Sequence, residues 1–361
     1  MDNVPISGLS ELQAHLQQLV NDPSIPFKVK LLDDVELQLT KDNIPPLLPT
    51  LLPLSTETLK TTTQDPTPLL SLTTKLLSPL SFTRTLTIAD PPSLLAALRS
   101  PLPGANLLAL AIVGKAADSP SDASILSTLP EVVDGIVRCW LASEDVGVGE
   151  CAARVLGDLL ETDCPTLDNG IDDASSETGS NSNEIVKRRA VGHGRLWQLL
   201  LLRRPNLSLI QQHCSFVEPR EQAPPRSVRQ VTISQGRLLR ILPRLCTLNI
   251  AALSRPVFPD LFVSPVADAS GPGQGLLQWA ALGMVDKSDV LMHLSLVDFF
   301  ETLVSVMRVS KRSSALDTFI GKLVKAALQS DDELETALKT LPDRTVEEEA
   351  ESLRKYIASL L

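Results

Sequence analysis

Aromatic side chains are nearly missing from this 361-residue chain: they make up 3% of it, with a single tyrosine, Tyr356. Sheet proteins draw on aromatic and β-branched residues, so this scarcity speaks against a β-sandwich or a propeller. Cysteine is scarce too. Cys139, Cys151, Cys164, Cys214 and Cys246 are odd in number and mostly set in apolar helical patterns. That excludes a disulfide framework and predicts buried thiols in a reducing compartment. The four histidines, His15, His193, His213 and His293, are scattered, and there is no CxxC pair, HExxH or acidic calcium loop. No metal or other cofactor is therefore expected.

Positive charge is in deficit. The formal net charge is −10 and the sequence pI about 5.0, whereas general nucleic-acid binders need excess cations to displace phosphate counterions. Nucleic acid is not the expected partner. Long apolar runs are missing as well: the stretch around Leu199–Leu202 in LWQLLLL falls far short of the roughly 20 residues that span a bilayer. The opening MDNVPISGLSELQAHL lacks the basic start and apolar stretch of a signal peptide. These features predict a soluble protein of the cytosol or nucleus, without membrane contact and monomeric on its own.

What the chain does have is leucine, 65 of them, within a hydrophobic fraction of 43%. Leucine-rich composition favours helices, and 27 prolines with 17 glycines require those helices to be short and often interrupted. Glycine-opened amphipathic segments recur at Gly104, Gly147, Gly192, Gly236 and Gly275, with spacings of 43, 45, 44 and 39 residues. HEAT and armadillo units recur at about 40–47 residues. The predicted fold is all-α, a HEAT/armadillo-like α-solenoid of antiparallel helix pairs. In Val148–Glu161 the residues Val148, Cys151, Ala152, Val155, Leu156, Leu159 and Leu160 form an apolar stripe at helical spacing, opposite Glu150, Arg154 and Asp158. Glu131–Ala142 carries a similar stripe, and the two make one predicted helix pair.

Segments with other compositions divide the chain. Ser10–Val20 and Phe27–Leu39 read as helices, and Ile44–Pro79 as short helices delimited by proline. Asp163–Glu184 is polar and acidic and reads as a disordered loop. It separates N-terminal repeats over 1–162 from C-terminal repeats over 185–361, where Glu333–Leu361 forms an acidic terminal cap. Further mobile connections are expected at Glu218–Arg226 and near Ala267–Gln274.

Apparent catalytic motifs do not survive their context. Gly147-Val148-Gly149-Glu150-Cys151-Ala152 spells a GxGxxA dinucleotide fingerprint, but a helical pattern precedes it where a buried strand is required. Gly114-Lys115 lacks the upstream glycine of a phosphate loop. His213 and Cys214 are adjacent, so on a helix they point to different faces. An interaction protein is expected rather than an enzyme.

Charge is unevenly placed. From Lys187 to Arg255 thirteen Lys/Arg face only Glu218 and Glu221, a local net of +11 against −21 for the rest. Arg237, Arg240 and Arg244 fall at i, i+3 and i+7 of a helix whose other face is Leu238, Ile241, Leu242 and Leu245. They form either a solvated helix face or an arginine ridge that recognises acidic protein or phosphate. With Arg195, Trp197, Arg203 and Arg204 of the preceding segment they make up the predicted partner surface, since arginine and tryptophan are enriched at interface hot spots. Trp197 reads equally as core.

LLALAIVGKAAD, then LPEVVDGIVRCWLASEDVGVGECAARVLGDLLETDC, then GHGRLWQLL resemble a known family over Leu107–Cys214. It is the proteasome base-assembly chaperones, called 26S proteasome non-ATPase regulatory subunit 5 in animals. The matching features are valine–glycine before a small-residue helix (Val146–Leu160) and Gly192–Trp197 after an acidic insertion; both are packing patterns. The resemblance implies a C-shaped HEAT-like solenoid that binds the C-terminal domain of one ATPase subunit of the regulatory-particle base. It would hold base-assembly intermediates and leave the finished particle, using no nucleotide or metal of its own. The yeast relative's name links it to DNA mismatch repair, so a mismatch-repair accessory role, or that of a general scaffold solenoid, is the alternative.

Overall fold

The computed structural model describes residues 6–165, 191–216, 227–262, 275–310, 314–329 and 331–361. These residues fold into eighteen α-helices and three short 3-10 turns, and no strand occurs among them. The all-α expectation holds. The chain divides into two units, Met1–Asp158 and Leu159–Leu361.

The first unit holds α1 (Leu9–Asn21), α2 (Val29–Gln38), α3 (Leu48–Thr61), α4 (Thr67–Leu77), α5 (Phe82–Leu86), α6 (Pro91–Leu98), α7 (Pro103–Gly114), α8 (Pro120–Leu126), α9 (Pro130–Ala142) and most of α10 (Val146–Thr162). Proline decides where many of them begin: α3, α4, α6, α7, α8 and α9 each carry it in their first two positions. There its missing N–H is one the helix cannot use, and its fixed φ suits the first turn. A proline-rich chain thus remains helical. Ser81, Asp90 and Ser119 cap α5, α6 and α8 through their side chains. Leu12, Leu16 and Leu19 of α1, spaced for one helix face, are fully buried, and α1 packs on α3 while α2 packs on α4. In the proline-delimited stretch Leu51, Leu52, Leu59, Leu69, Leu72 and Leu76 are all buried.

The second unit holds α11 (Arg195–Leu201), α12 (Arg204–Cys214), α13 (Val228–Ser254), α14 (Leu276–Leu282), α15 (Val290–Val309), α16 (Ser314–Leu328), α17 (Asp332–Thr340) and α18 (Glu347–Leu360). Its helices pack two apart as well as in sequence. α13 meets α15 and α15 meets α17, while α14 meets α16 and α16 meets α18. Odd and even helices therefore form two layers within this unit. α17 and α18 cover the acidic segment Glu333–Leu361 at the end of the chain, with Asp332, Glu333 and Glu335 in the first turn of one and Glu347, Glu348 and Glu349 in that of the other.

The segment GHGRLW works as a splice. Asp163 is fully buried, and its Oδ2 accepts hydrogen bonds from the Leu196 N–H at 2.6 Å and the Trp197 N–H at 3.4 Å. The Gly192 N–H donates to the Cys164 carbonyl at 3.0 Å and the Gly194 N–H to the Asp163 carbonyl at 2.9 Å. A Cβ on Gly192 would lie 2.1 Å from the Asp163 carbonyl carbon, so only glycine allows this approach. The predicted loop Asp163–Glu184 begins here; from residue 166 on it lies outside the described residues, as do Glu218–Arg226 and Ala267–Gln274.

Among the described residues α15 is the one helix long and apolar enough to cross a membrane, with a mean hydropathy of 1.6 over its most apolar window. Met292, Leu296, Phe299, Phe300, Leu303, Val304 and Met307 of that helix are buried, and it packs against α13, α17 and α18.

Candidate functional site

α13 begins with a full capping box: the Ser227 hydroxyl accepts from the Gln230 N–H and the Gln230 side chain accepts from the Ser227 N–H. It runs from Val228 to Ser254 with a kink at Asn249, whose backbone is non-helical, so Gly236 lies inside the helix ahead of the kink and does not open one. That corrects the glycine-led repeat phase at this position; Gly192 likewise precedes its helix by three residues. Gly236 and Pro243 are both poor helix formers, and seven residues apart they share a face with Leu239 and Arg240. Pro243 cannot donate the helical hydrogen bond to the Leu239 carbonyl, which leaves that acceptor without its helical donor.

Across from this stripe, α15 presents Ser295, Asp298, Phe299 and Thr302 with the same i, i+3, i+4, i+7 spacing. The eight residues line a cavity of about 130 Å³. Leu239 and Phe299 are buried and give it an apolar floor. Arg240 and Asp298 are exposed and carry opposite charges on opposite walls. Small-molecule sites run to about 300–1,000 Å³, so this cavity is sized for a side chain. It opens because Gly236 places nothing in it: a Cβ there would meet no atom within 4 Å. One turn further along α15, Leu291 and Leu294 stand 76% and 57% exposed.

Of the seven residues expected on the partner surface, Arg240 alone lines the cavity. Arg237 is buried at 7% exposure, which corrects the arginine ridge: α13 is packed by α11, α12, α14 and α15, so its polar-looking side is covered at that height. Arg244 is half-buried and pairs with Glu161 at 2.7 Å. Trp197 is corrected to core, 3% exposed, its indole N–H donating to the Leu160 carbonyl at 2.8 Å. Arg195 and Arg203 are exposed. Arg204 is exposed, pairs with Asp260 and lies over the Phe258 ring at 5.6 Å from its centroid. The α15 wall was not foreseen in the sequence. Its signal is a second stripe, Leu291, Leu294, Asp298 and Thr302, beside the buried one.

No group of His, Cys, Asp or Glu among the described residues could hold a metal ion. Burial pushes the Cys139 thiol up to about 11 and the Cys246 thiol further, which suppresses the nucleophilic thiolate. Cys214 is fully buried. No family model matches the sequence, and no curated protein matches it either.

Proposed function

We propose that this chain is a non-enzymatic, protein-binding α-solenoid of the HEAT/armadillo kind that acts as an assembly chaperone of the proteasome regulatory-particle base. In this reading it holds the C-terminal domain of an ATPase subunit, needs no nucleotide or metal, and works in the cytosol or nucleus as a monomer. The observation that carries the solenoid is the packing of helices two apart into odd and even layers within the second unit, the arrangement by which stacked helical repeats bury a continuous core. What supports binding over catalysis is a side-chain-sized groove on a layered helical surface. The proteasomal partner rests on the resemblance of Leu107–Cys214 to the base-assembly chaperones.

Affinity capture of the full chain from a cell extract, read by mass spectrometry, tests the partner. Recovery of proteasomal ATPase subunits is the expected result. Recovery of mismatch-repair proteins, with DNA binding that falls steeply with salt, would favour the alternative suggested by the basic window 187–255.

A further inference from the structure

We propose that His15 is an acid-operated latch on the first helix: neutral, it accepts the backbone N–H of Lys28 and fixes the start of α2 to α1; protonated, it releases that N–H, and α1 undocks while the rest of the first unit stays folded. The inference concerns the first unit alone and does not depend on which protein the chain binds.

His15 shares the buried face of α1 with Leu12, Leu16 and Leu19 and is 1% exposed. Its Nε2 accepts the Lys28 N–H at 3.1 Å. The neutral ring therefore carries its proton on Nδ1, which is buried without a hydrogen-bond partner. Lys28 directly precedes α2 and gives it no side-chain cap. Earlier in the connection the backbone is held by a group that does not titrate. The Gln64 Oε1 accepts from the Phe27 N–H at 3.2 Å, and its Nε2 donates to the Pro23 and Ile25 carbonyls at 3.0 and 2.7 Å. The His15 bond thus ties the start of α2 to α1, beside the exposed ion pair of Lys28 with Glu11 at 2.9 Å.

A second proton on the ring goes to Nε2. The new N–H then meets the Lys28 N–H donor to donor, and both ring N–H groups are left without an acceptor in a buried place. Burial is the main force against the charged ring, the Lys28 ammonium adds to it and Glu11 partly opposes, so the ring is held below its ordinary value. Of the other charged residues on the neighbouring helices, Lys30, Asp33 and Asp34 of α2 and Glu57 and Lys60 of α3 are exposed; Glu36 accepts from the Ser71 hydroxyl. A base held below its free value, about 6.5, contributes stability that is full above that value and is lost as the pH falls to the folded one. His15 is the one histidine of Met1–Asp158, and histidine is the side chain whose ordinary value lies in this range. α1 makes its main contacts with α3 and α2, so its release leaves the packing from α4 onward in place.

The test is amide hydrogen exchange of the full chain between about pH 7.5 and about pH 5, with protection corrected for the pH dependence of intrinsic exchange. Protection of α1 and of the Lys28 amide should fall at least threefold over that range, and no more steeply than tenfold per pH unit, the limit for a single proton. Protection of α7 should stay as it is. His15→Gln offers an amide oxygen at similar reach and does not titrate, so its α1 protection should be flat with pH. Should that variant leave α1 undocked throughout, the wild-type ring decides: its C–H proton resonance must titrate below about 6.5, in step with the loss of Lys28 protection. Flat protection in the wild type, an equal fall in His15→Gln, loss of α7 protection in step with α1, or a ring that titrates at or above its free value would each overturn the proposal.

Discussion

Two buried aspartates tie the second unit together, and pH should act on them in opposite directions. The Asp331 side chain is 2% exposed and binds Lys287 at 2.8 Å, His293 at 2.9 Å and the Leu334 N–H at 3.0 Å. Glu333 faces the other nitrogen of the His293 ring. Burial pushes the Asp331 carboxyl up, but the Lys287, Leu334 and His293 bonds outweigh it and hold the carboxyl below its ordinary value. A depressed folded value means stability that is present above the unfolded value, about 3.9, and lost as pH falls through the folded one. Asp331→Ala strands Lys287 and uncaps α17, so it should cost about 3 kcal/mol in denaturant melts at neutral pH, with the deficit shrinking in acid. Asp163 is the reverse case. Burial dominates and raises its carboxyl, with the N–H groups of Leu196, Trp197, Arg195 and His193 only partly opposing. Its contribution is therefore fullest below the unfolded value and lost as pH rises to the folded one. Asp163→Asn keeps an acceptor and removes the charge, so it should be milder than Asp163→Ala, which should cost about 1–2 kcal/mol of capping. An asparagine variant as unstable as the alanine one would show that the charge itself holds the splice.

Legibility at this scale stopped at the helix face. The run LWQLLLL fits a buried Trp197, and the leucines opposite Arg237 are buried as their spacing predicts. Spacing gives a direction around the axis, however, and not which neighbour lies at that height. Near Arg237 the neighbours are betrayed by Gln235, fully buried, whose amide donates to the Cys214 and Met284 carbonyls at 2.8 Å each. Those partners are 21 and 49 residues away, and no local pattern encodes them.

Elements were the most legible scale. Ser10–Val20, Glu131–Ala142 and Val148–Glu161 match α1, α9 and α10 to within a few residues, because apolar stripes there coincide with turn residues at both ends. The failure at Gly236 has a physical reason. Glycine marks a helix start only where a cap or close approach accompanies it, and Val231, Leu238 and Leu242 carry the buried stripe through that position. The splice at Gly192 makes a further element-scale prediction. Its hydrogen bond to Cys164 brings the flanks of residues 166–190 together, so a short Gly/Ser linker closes the gap with little entropic penalty. Replacing 166–190 should leave the melting temperature within a degree or two; a drop of several degrees would show that the segment supplies contacts.

At the scale of the whole molecule, the solenoid proposal makes a statement about size. A globule of this length has a radius of gyration of about 21 Å. An extended array requires a clearly larger value in small-angle scattering, and a value at the globular figure would rule it out. Recurrence of glycine at 39–45 residues does not fix where the helices begin, since α13 runs through Gly236.

Glycine and proline are the two least favourable residues for a helix interior, by about 1 and 3 kcal/mol relative to alanine, and α13 holds both on the one face that opens the groove. Selection for heat resistance and selection for binding should therefore pull against each other here. A laboratory screen of random variants for survival at high temperature should enrich replacements at Gly236 and Pro243. The survivors should melt higher than the parent and recover less partner protein in affinity capture; enrichment without loss of partner recovery would show that the two residues open the groove for no purpose.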